Sequence, residues 1–310
     1  SGESLPAPST TWELGAEIMF LTQLLNGLAL GMVYALVAIG YSLVFGILDL
    51  INFAHGATYA FGAILTWYLT SAAKMNVVLA CLISILATGV LGILLEYFGL
   101  RPLRKKHSSA ITALITTIGL SYIIENCLTI AFGSQAQRFQ LNLDFASFWV
   151  GKTEVGSSKL VITGISLLLL LLLYLVLNRT KMGLAMRTVG QSQSAAAISG
   201  VNVDWVIMLA FFLSGACAAV AGTLVGGYYQ MVSPSMGAAV GNKAFAAAVV
   251  GGLGSLPGAV VGGLVVGLSE GFAAAYLGGT YTDTIAYIVL FIVLILKPSG
   301  LFHAKGIAKV

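Results

Sequence analysis

Charge is the scarcest property of this sequence. Only 8% of its 310 residues are Asp, Glu, Lys or Arg, against about 25% in an ordinary soluble domain. So few polar side chains cannot cover a water-facing surface, and the chain reads as an integral membrane protein. Cysteine stops at 3 (Cys81, Cys127 and Cys217), each inside an apolar run. An odd number of buried thiols is no disulfide framework, and they read as small packing residues. No basic patch with interleaved aromatics is present, so nucleic acid is not an expected partner. The sequence also has no metal-ligand spacing, no nucleophile paired with a base and no GxxxxGK[ST] phosphate loop. The chain is not expected to be an enzyme, and any ATP-driven work would fall to another chain.

Hydrophobic residues fill 58% of the sequence, with 37 glycines among the rest. A bilayer-crossing helix needs roughly 20 mostly apolar residues. Candidate spans fall at about 18–45, 56–71, 77–99, 110–132, 160–178, 206–229, 243–253, 258–277 and 281–296. The expected fold is an all-α polytopic bundle of about 8–9 spans, with a broken or re-entrant helix in each half. Residues 1–17 are expected to form a flexible tail, with Ser1-Gly2 a remnant of a removed tag and no basic n-region of a signal peptide. Residues 18–296 form the membrane domain and 297–310 a short C-terminal tail.

The basic residues cluster. Arg101, Arg104, Lys105 and Lys106 sit in one connection, Arg179, Lys181 and Arg187 in the loop 179–205, and Lys297, Lys305 and Lys309 in the tail. An alternating path puts all three segments on one side, which the excess of Lys and Arg assigns to the cytoplasm. Lys74, Arg138, Lys152 and Lys159 then fall opposite. Nine crossings would place the N-terminus outside.

Two segments depart from ordinary spans. "GILDLINFAHGATYAFG" (46–62) sets Asp49, Asn52, His55 and Gly56 within eight residues of each other, between apolar runs. "NKAFAAAVVGGLGSLPGAVVGGLVVGLSEG" (242–271) begins with a short apolar run and breaks at Gly252, Gly254, Ser255 and Pro257. Irregular backbone at membrane depth survives where protein buries it or where it lines a wet cavity, so two interruptions point to a path between broken helices. The residues expected to line it are Asp49, Asn52, His55, Gly56, Asn242, Gly252, Gly254, Ser255 and Glu270. Each has a plainer reading: Asp49 at the membrane boundary, Asn52 bonding exposed backbone, His55 starting a helix, "GGLGSLPG" turning tightly in the cytoplasm, Glu270 bracing the core. Glu96 reads as a boundary ion pair with Arg101, and Glu125 beside Asn126 as intramembrane polar groups. Glycines four apart (Gly254/Gly258/Gly262, Gly263/Gly267/Gly271, Gly27/Gly31, Gly222/Gly226) share helix faces and let neighbouring helices approach closely.

The loop 179–205 carries "SAAAISG", Ser194, Ala195, Ala196, Ala197, Ile198, Ser199 and Gly200, a small-residue turn closed by glycine. It resembles the E-A-A-x-x-x-G pattern of ABC importer permeases, with Ser194 where the Glu would stand. "NGLALGMVYALVAIGYSLVFGILDLINFAHG" (26–56), "RPLR" (101–104), "TTIGLSYIIEN" (116–126), "TKMGLAMR" (180–187), "GVNV" (200–203), "AFAAAVVGGLGSLPGAVVGGLVVGLSE" (244–270) and "KPSGLF" (297–302) carry the resemblance further. Together they resemble the H-subunit permease of branched-chain amino acid ABC importers. The resemblance implies a bacterial inner-membrane complex with its C-terminus in the cytoplasm. A second related permease would complete a heterodimer, and two cytoplasmic P-loop ATPases carrying ATP and Mg would dock on the coupling turn. An extracytoplasmic binding protein would deliver substrate, and this chain itself needs no cofactor. Relatives with this architecture also carry urea, amides or nucleosides, so the substrate stays open. The rival reading is a self-sufficient channel or proton-coupled carrier using His55, Glu125 and Glu270, for which no basic intramembrane partner is evident.

Overall fold

The computed structural model describes residues 8–106, 108–141, 147–150 and 153–302. Lys152, Lys305, Lys309 and the expected tail residues 1–7 and 303–310 lie outside them. The helices are α1 (Pro8–Leu48), α2 (Ala54–Trp67), α3 (Val77–Leu94), α4 (Arg101–Lys105), α5 (Ala110–Phe132), α6 (Ser157–Arg179), α7 (Lys181–Gln191), α8 (Gln193–Ile198), α9 (Val203–Tyr229), α10 (Met236–Gly251), α11 (Leu256–Tyr276) and α12 (Thr282–Leu296). Residues 8–17 are thus part of α1.

Among the described residues, seven stretches are long and apolar enough to cross a bilayer: Met19–Leu48, Val77–Lys105, Ala110–Phe132, Ser157–Arg179, Val203–Tyr229, Leu256–Tyr276 and Gly279–Leu296. Two shorter helices, α2 and the apolar α10, pack among them. The 14 residues of α2 and 16 of α10 rise only about 21 and 24 Å, less than the ~30 Å hydrocarbon core. Irregular chain precedes each: residues 49–53 before α2, and 230–235 before α10. The expected all-α bundle of about eight to nine spans is there, but in the second half the interruption precedes α10, and the expected break at 252–257 is the turn between α10 and α11. Helix α10 starts at Met236 rather than 243, because "MGAAVG" is small enough to wind helically against its neighbours.

The basic residues gather at one end. There the C-terminus of α1 meets the α10–α11 turn and α7, with Gly46 against Gly254 and its carbonyl against Gly190. Arg101 and Arg104 reach Asp204 at the start of α9, at 2.6 and 2.8 Å. We call this the basic end. At the opposite end, β1 (Gln137–Arg138) pairs antiparallel with β4 (Met231–Val232), tying the α5–α6 connection to the α9–α10 connection. A hairpin of β2 (Ser147–Val150) and β3 (Thr153–Gly156) precedes α6.

The centre of the bundle is α1. In its most apolar window 89% of residues are buried, against 6% in α12, which is peripheral. Glycine makes this centre possible. A Cβ on Gly267 would lie 2.3 Å from the Gly31 Cα, and one on Gly271 would lie 2.9 Å from the Gly27 Cα. The backbones of α1 and α11 therefore touch along the glycine stripes. Gly222 meets Tyr59 and Ala63 of α2 in the same way, whereas Gly226 receives Val232 and Phe139. Gly267→Val is expected to cost about 1–3 kcal/mol or more, because no side chain can yield. A thermal melt of the purified protein, compared with Gly164→Val where no atom of the described residues lies within 4 Å, checks it. Of the three thiols, Cys217 is buried and Cys81 half-buried, but Cys127 is exposed on the outer face of α5.

Candidate functional site

The first break shows why its polar residues are needed. Asp49 closes α1 in the left-handed region (φ 54°), its amide donating to the Phe45 carbonyl at 2.8 Å. Asp accepts that conformation more readily than most residues. The chain then leaves the helix and enters the bundle, where α2 begins with its first amides in need of acceptors. Asn52, buried, supplies them. Its Oδ1 accepts from the Ala54 amide at 3.1 Å and its carbonyl from the His55 amide at 3.2 Å. The Phe53 amide crosses to Thr117 Oγ1 of α5 at 3.2 Å. Asn52 is a backbone partner at a helix break.

His55 is a brace. Nε2 donates to the Val37 carbonyl at 3.2 Å, and Nδ1 pairs with Ser214 Oγ at 3.1 Å. The Tyr41 ring meets it edge-on at 4.7 Å between centroids. Both nitrogens are occupied by α1 and α9, and Gly40 lies under the ring, where a Cβ would sit 2.4 Å from Nε2.

Gly56 carries the junction. A Cβ there would come within 2.5 Å of the Gly237 carbonyl, and one on Gly237 within 2.2 Å of the Gly56 carbonyl. Gly241 packs its own Cα on the same spot. The starts of α2 and α10, about 180 residues apart in sequence, touch backbone to backbone. Beside this contact lies a cavity of about 180 Å³. It is bounded by Gly56, Tyr41, Gly237, Gly241 and Asn242 on one side and by Ser121 and Glu125 of α5 on the other. Two expected residues, Gly56 and Asn242, are brought together here. Tyr41, Ser121, Gly237 and Gly241 were not anticipated, although "SMGAAVGN" (235–242) has small residues at the four-residue spacing that permits such contact.

Behind the junction sits an ion network that sequence reading missed. Lys243 Nζ donates to Glu270 at 2.7 Å and to Asp283 at 2.6 Å, and Tyr34 donates to the other Glu270 oxygen at 2.7 Å. Glu270 thus has a basic intramembrane partner after all. The signal was the lone lysine in "NKAFAAAVV", one residue past the last cavity-lining position. The network ties α10 to α1, α11 and the first turn of α12.

The remaining expected residues lie elsewhere. Gly252 (φ 104°) and Gly254 (φ 82°) form the α10–α11 turn at the basic end, and Ser255 caps α11 by accepting from the Gly258 amide at 3.1 Å. Residues 301 and 302 pin this turn through amides donating to the Val250 and Gly251 carbonyls, each at 2.9 Å. Gly252 is eleven residues beyond Gly241, about 16 Å along the helix. Asp49 also faces the basic end, lining a polar cavity of about 450 Å³ with Gln191 and Gln193. His55, Glu125 and Glu270 are not in contact: the first is held by Val37 and Ser214, the last by Lys243 and Tyr34. Glu96 forms its boundary ion pair with Arg104 at 2.8 Å rather than with Arg101. The π-turn Leu95–Leu100 between them widens the helix and swings Arg104 over Glu96, leaving Arg101 for Asp204.

At the same end α8 stands on the surface. Ser192 caps it through the Ala195 amide at 3.2 Å, and Gly200 (φ 83°) ends it. Ala196 is fully buried against the bundle, whereas Ser194, Ala195, Ala197, Ser199 and Gly200 face outward and Ile198 is 89% exposed. Asn202 then caps α9 through the Trp205 amide at 3.1 Å, two residues before Asp204.

A family model described as "Branched-chain amino acid transport system / permease component" matches residues 23–296. The chain belongs to this family. As a member of the branched-chain amino acid permease family, it is 35% identical to the high-affinity branched-chain amino acid transport system permease protein LivH of Salmonella typhimurium, over 94% of this chain and 98% of that one. It is 34% identical to BraD of Pseudomonas aeruginosa over the same shares. Among solved structures, PsaBC from Streptococcus pneumoniae in complex with Fab matches with a TM-score of 0.50 and 14% identity, over 90% of this chain and 92% of that one. That likeness is one of fold.

Proposed function

We propose that this chain is the membrane-spanning subunit of an ABC importer and carries a branched-chain or other apolar amino acid past the Gly56–Gly237 junction. The observation that carries this reading is the cavity at that junction, where two short buried helices begin at membrane depth. Family membership supplies the substrate class.

The chemistry fits a zwitterion with an apolar side chain. Helix starts present amides and the positive end of the helix dipole, which favours a carboxylate. Glu125 on the facing helix offers the opposite charge to an ammonium group. The small and aliphatic surfaces of Gly241, Ala238 and Ile118 suit a hydrocarbon side chain. A brief, weak site is sufficient where an extracytoplasmic binding protein does the selecting.

The basic end is placed in the cytoplasm, with the C-terminus, in a bacterial inner membrane. Two P-loop ATPases, which hold ATP and Mg, dock on α8. The Ser194–Gly200 face inserts into them, and Ile198 is its apolar anchor. Asp204 then passes movement of α8 and α9 to Arg101 and Arg104 of α4. A second, related permease faces α5, whose outer surface carries Asn126, Gly119 and Thr112 among its apolar residues.

Ile198→Glu tests the coupling half. Burying an isoleucine contributes about 1.5–3 kcal/mol, so ATPase association is expected to weaken by roughly 10- to 100-fold. ATP-driven leucine uptake should fall with it, at unchanged membrane expression. Full uptake and full ATPase co-purification in this variant would remove α8 from the coupling role. The permease reading itself is tested by reconstitution with the partner chains: ATP-dependent uptake supports it, and proton-gradient-driven uptake by this chain alone contradicts it.

A further inference from the structure

The bundle has a second large concavity, away from the junction. Between α3 and α6 runs a groove of about 700 Å³, walled by Val78 and Leu82 on one side and Ile165 and Leu168 on the other, with Leu224 of α9 as floor. That volume lies in the roughly 300–1,000 Å³ range of small-molecule sites, and its walls are aliphatic. Val78, Leu82 and Leu168 are each more than half exposed, so the groove opens sideways to the bilayer. It extends along α3 from Val77 to Ile85, about 12 Å of helix rise, close to the ~15 Å depth of one leaflet.

At its outer limit the character changes. Gln140 lines both this groove and a second cavity of about 430 Å³, which carries Arg138, Gln230 and Tyr229. Arg138 is exposed, and Lys74, also exposed, stands three residues before Val77. An aliphatic trough one leaflet deep therefore meets a polar, cationic pocket at headgroup level, at the end opposite the basic one. No glycine lines the trough, whereas helices that dock on one another in a membrane favour small residues.

We propose that this pair of cavities binds one anionic glycerophospholipid of the leaflet at that end. An acyl chain lies between α3 and α6, and the phosphate sits at Arg138, where a guanidinium can bind two of its oxygens. The chain also backs the face of α9 whose Thr223 holds Thr66 of α2 at 2.8 Å, so the lipid closes a wall behind the first broken helix.

The test uses the assembled transporter in vesicles containing phosphatidylglycerol with a photoreactive acyl chain, with labelled peptides identified by mass spectrometry. Labelling is expected to concentrate on Val78, Leu82, Ile165 and Leu168, well above Phe291 and Ile295 on the lipid-facing side of α12. Leu82→Trp with Ile165→Trp, both at the mouth of the groove, should remove that excess. Arg138→Gln should leave acyl labelling in place but reduce the preference for phosphatidylglycerol over phosphatidylcholine by about tenfold, the loss of one charge-assisted hydrogen-bonded contact. Equal labelling of the groove and α12 would show ordinary annular lipid and overturn the proposal. So would a partner-subunit segment cross-linked into the groove in place of lipid, or an unchanged headgroup preference in Arg138→Gln.

Discussion

Lys243→Met is expected to destabilise the protein by about 3–5 kcal/mol, because it strands a buried carboxylate. Glu270 is 5% exposed, and among the described residues it would keep only the Tyr34 hydroxyl as a donor. Asp283 suffers less, since its side chain is 63% exposed and water can take over. Removing both buried charges should be milder than removing one. The double variant Lys243→Met/Glu270→Gln is expected to regain more than half of the loss, and a double-mutant cycle of melting temperatures in detergent reads the coupling. The Arg101–Asp204 pair makes a useful contrast. Its side chains are 22% and 30% exposed, so Asp204→Asn should cost nearer 1 kcal/mol. Equal losses at both sites would mean that burial does not set the energetics of these pairs.

Gly237→Ala is expected to reduce uptake by roughly 5- to 150-fold. The new methyl would sit 2.2 Å from the Gly56 carbonyl oxygen, with the Gly56 carbonyl carbon at 2.8 Å and no flexible side chain to move aside. Relief requires α2 and α10 to separate by about an ångström, an overpacking cost of about 1–3 kcal/mol; each 1.4 kcal/mol raised in the barrier is tenfold in rate. Gly164→Ala on α6 is the control, because no atom of the described residues lies within 4 Å of a Cβ at that position. Initial rates of ATP-driven leucine uptake, normalised to assembled complex, compare the two. Equal rates in both variants would mean that the junction does not govern transport.

Much of this architecture was legible in the sequence, for physical reasons. The long apolar runs, the basic loops and the four-residue glycine spacing are local signals, and the structure has the corresponding helices, basic end and α1–α11 contact. The "SAAAISG" turn was legible because a short surface helix needs only its own cap, at Ser192, and its own stop, at Gly200. Asn52 and His55 were expected on the path, with backbone bonding and helix packing as their plainer readings; their contacts are those of the plainer readings, because a buried helix start must find acceptors nearby.

The misses are long-range. Nothing local pairs Gly56 with Gly237, and the helical start of α10 hides in a stretch too small and polar to look like a span. Lys243 was overlooked because its partners, Glu270 and Asp283, lie 27 and 40 residues ahead on two other helices. Gly252, Gly254 and Ser255 looked like a break within a span, yet they form the turn between α10 and α11 at the basic end, because the helix before them starts seven residues earlier than expected.

The most direct test of the transport path is the accessibility of a single cysteine at Ser121, on the α5 wall of the cavity, in a chain whose three native cysteines are replaced by alanine. The assembled transporter would be treated with a water-soluble thiol reagent, at rest and during ATP-driven turnover, with and without leucine-loaded binding protein. A residue on the path is expected to react at a rate that changes with turnover and falls when leucine is being delivered. A rate unaffected by ATP and by leucine, in a variant that still transports, would contradict the assignment of the Gly56–Gly237 cavity to the path.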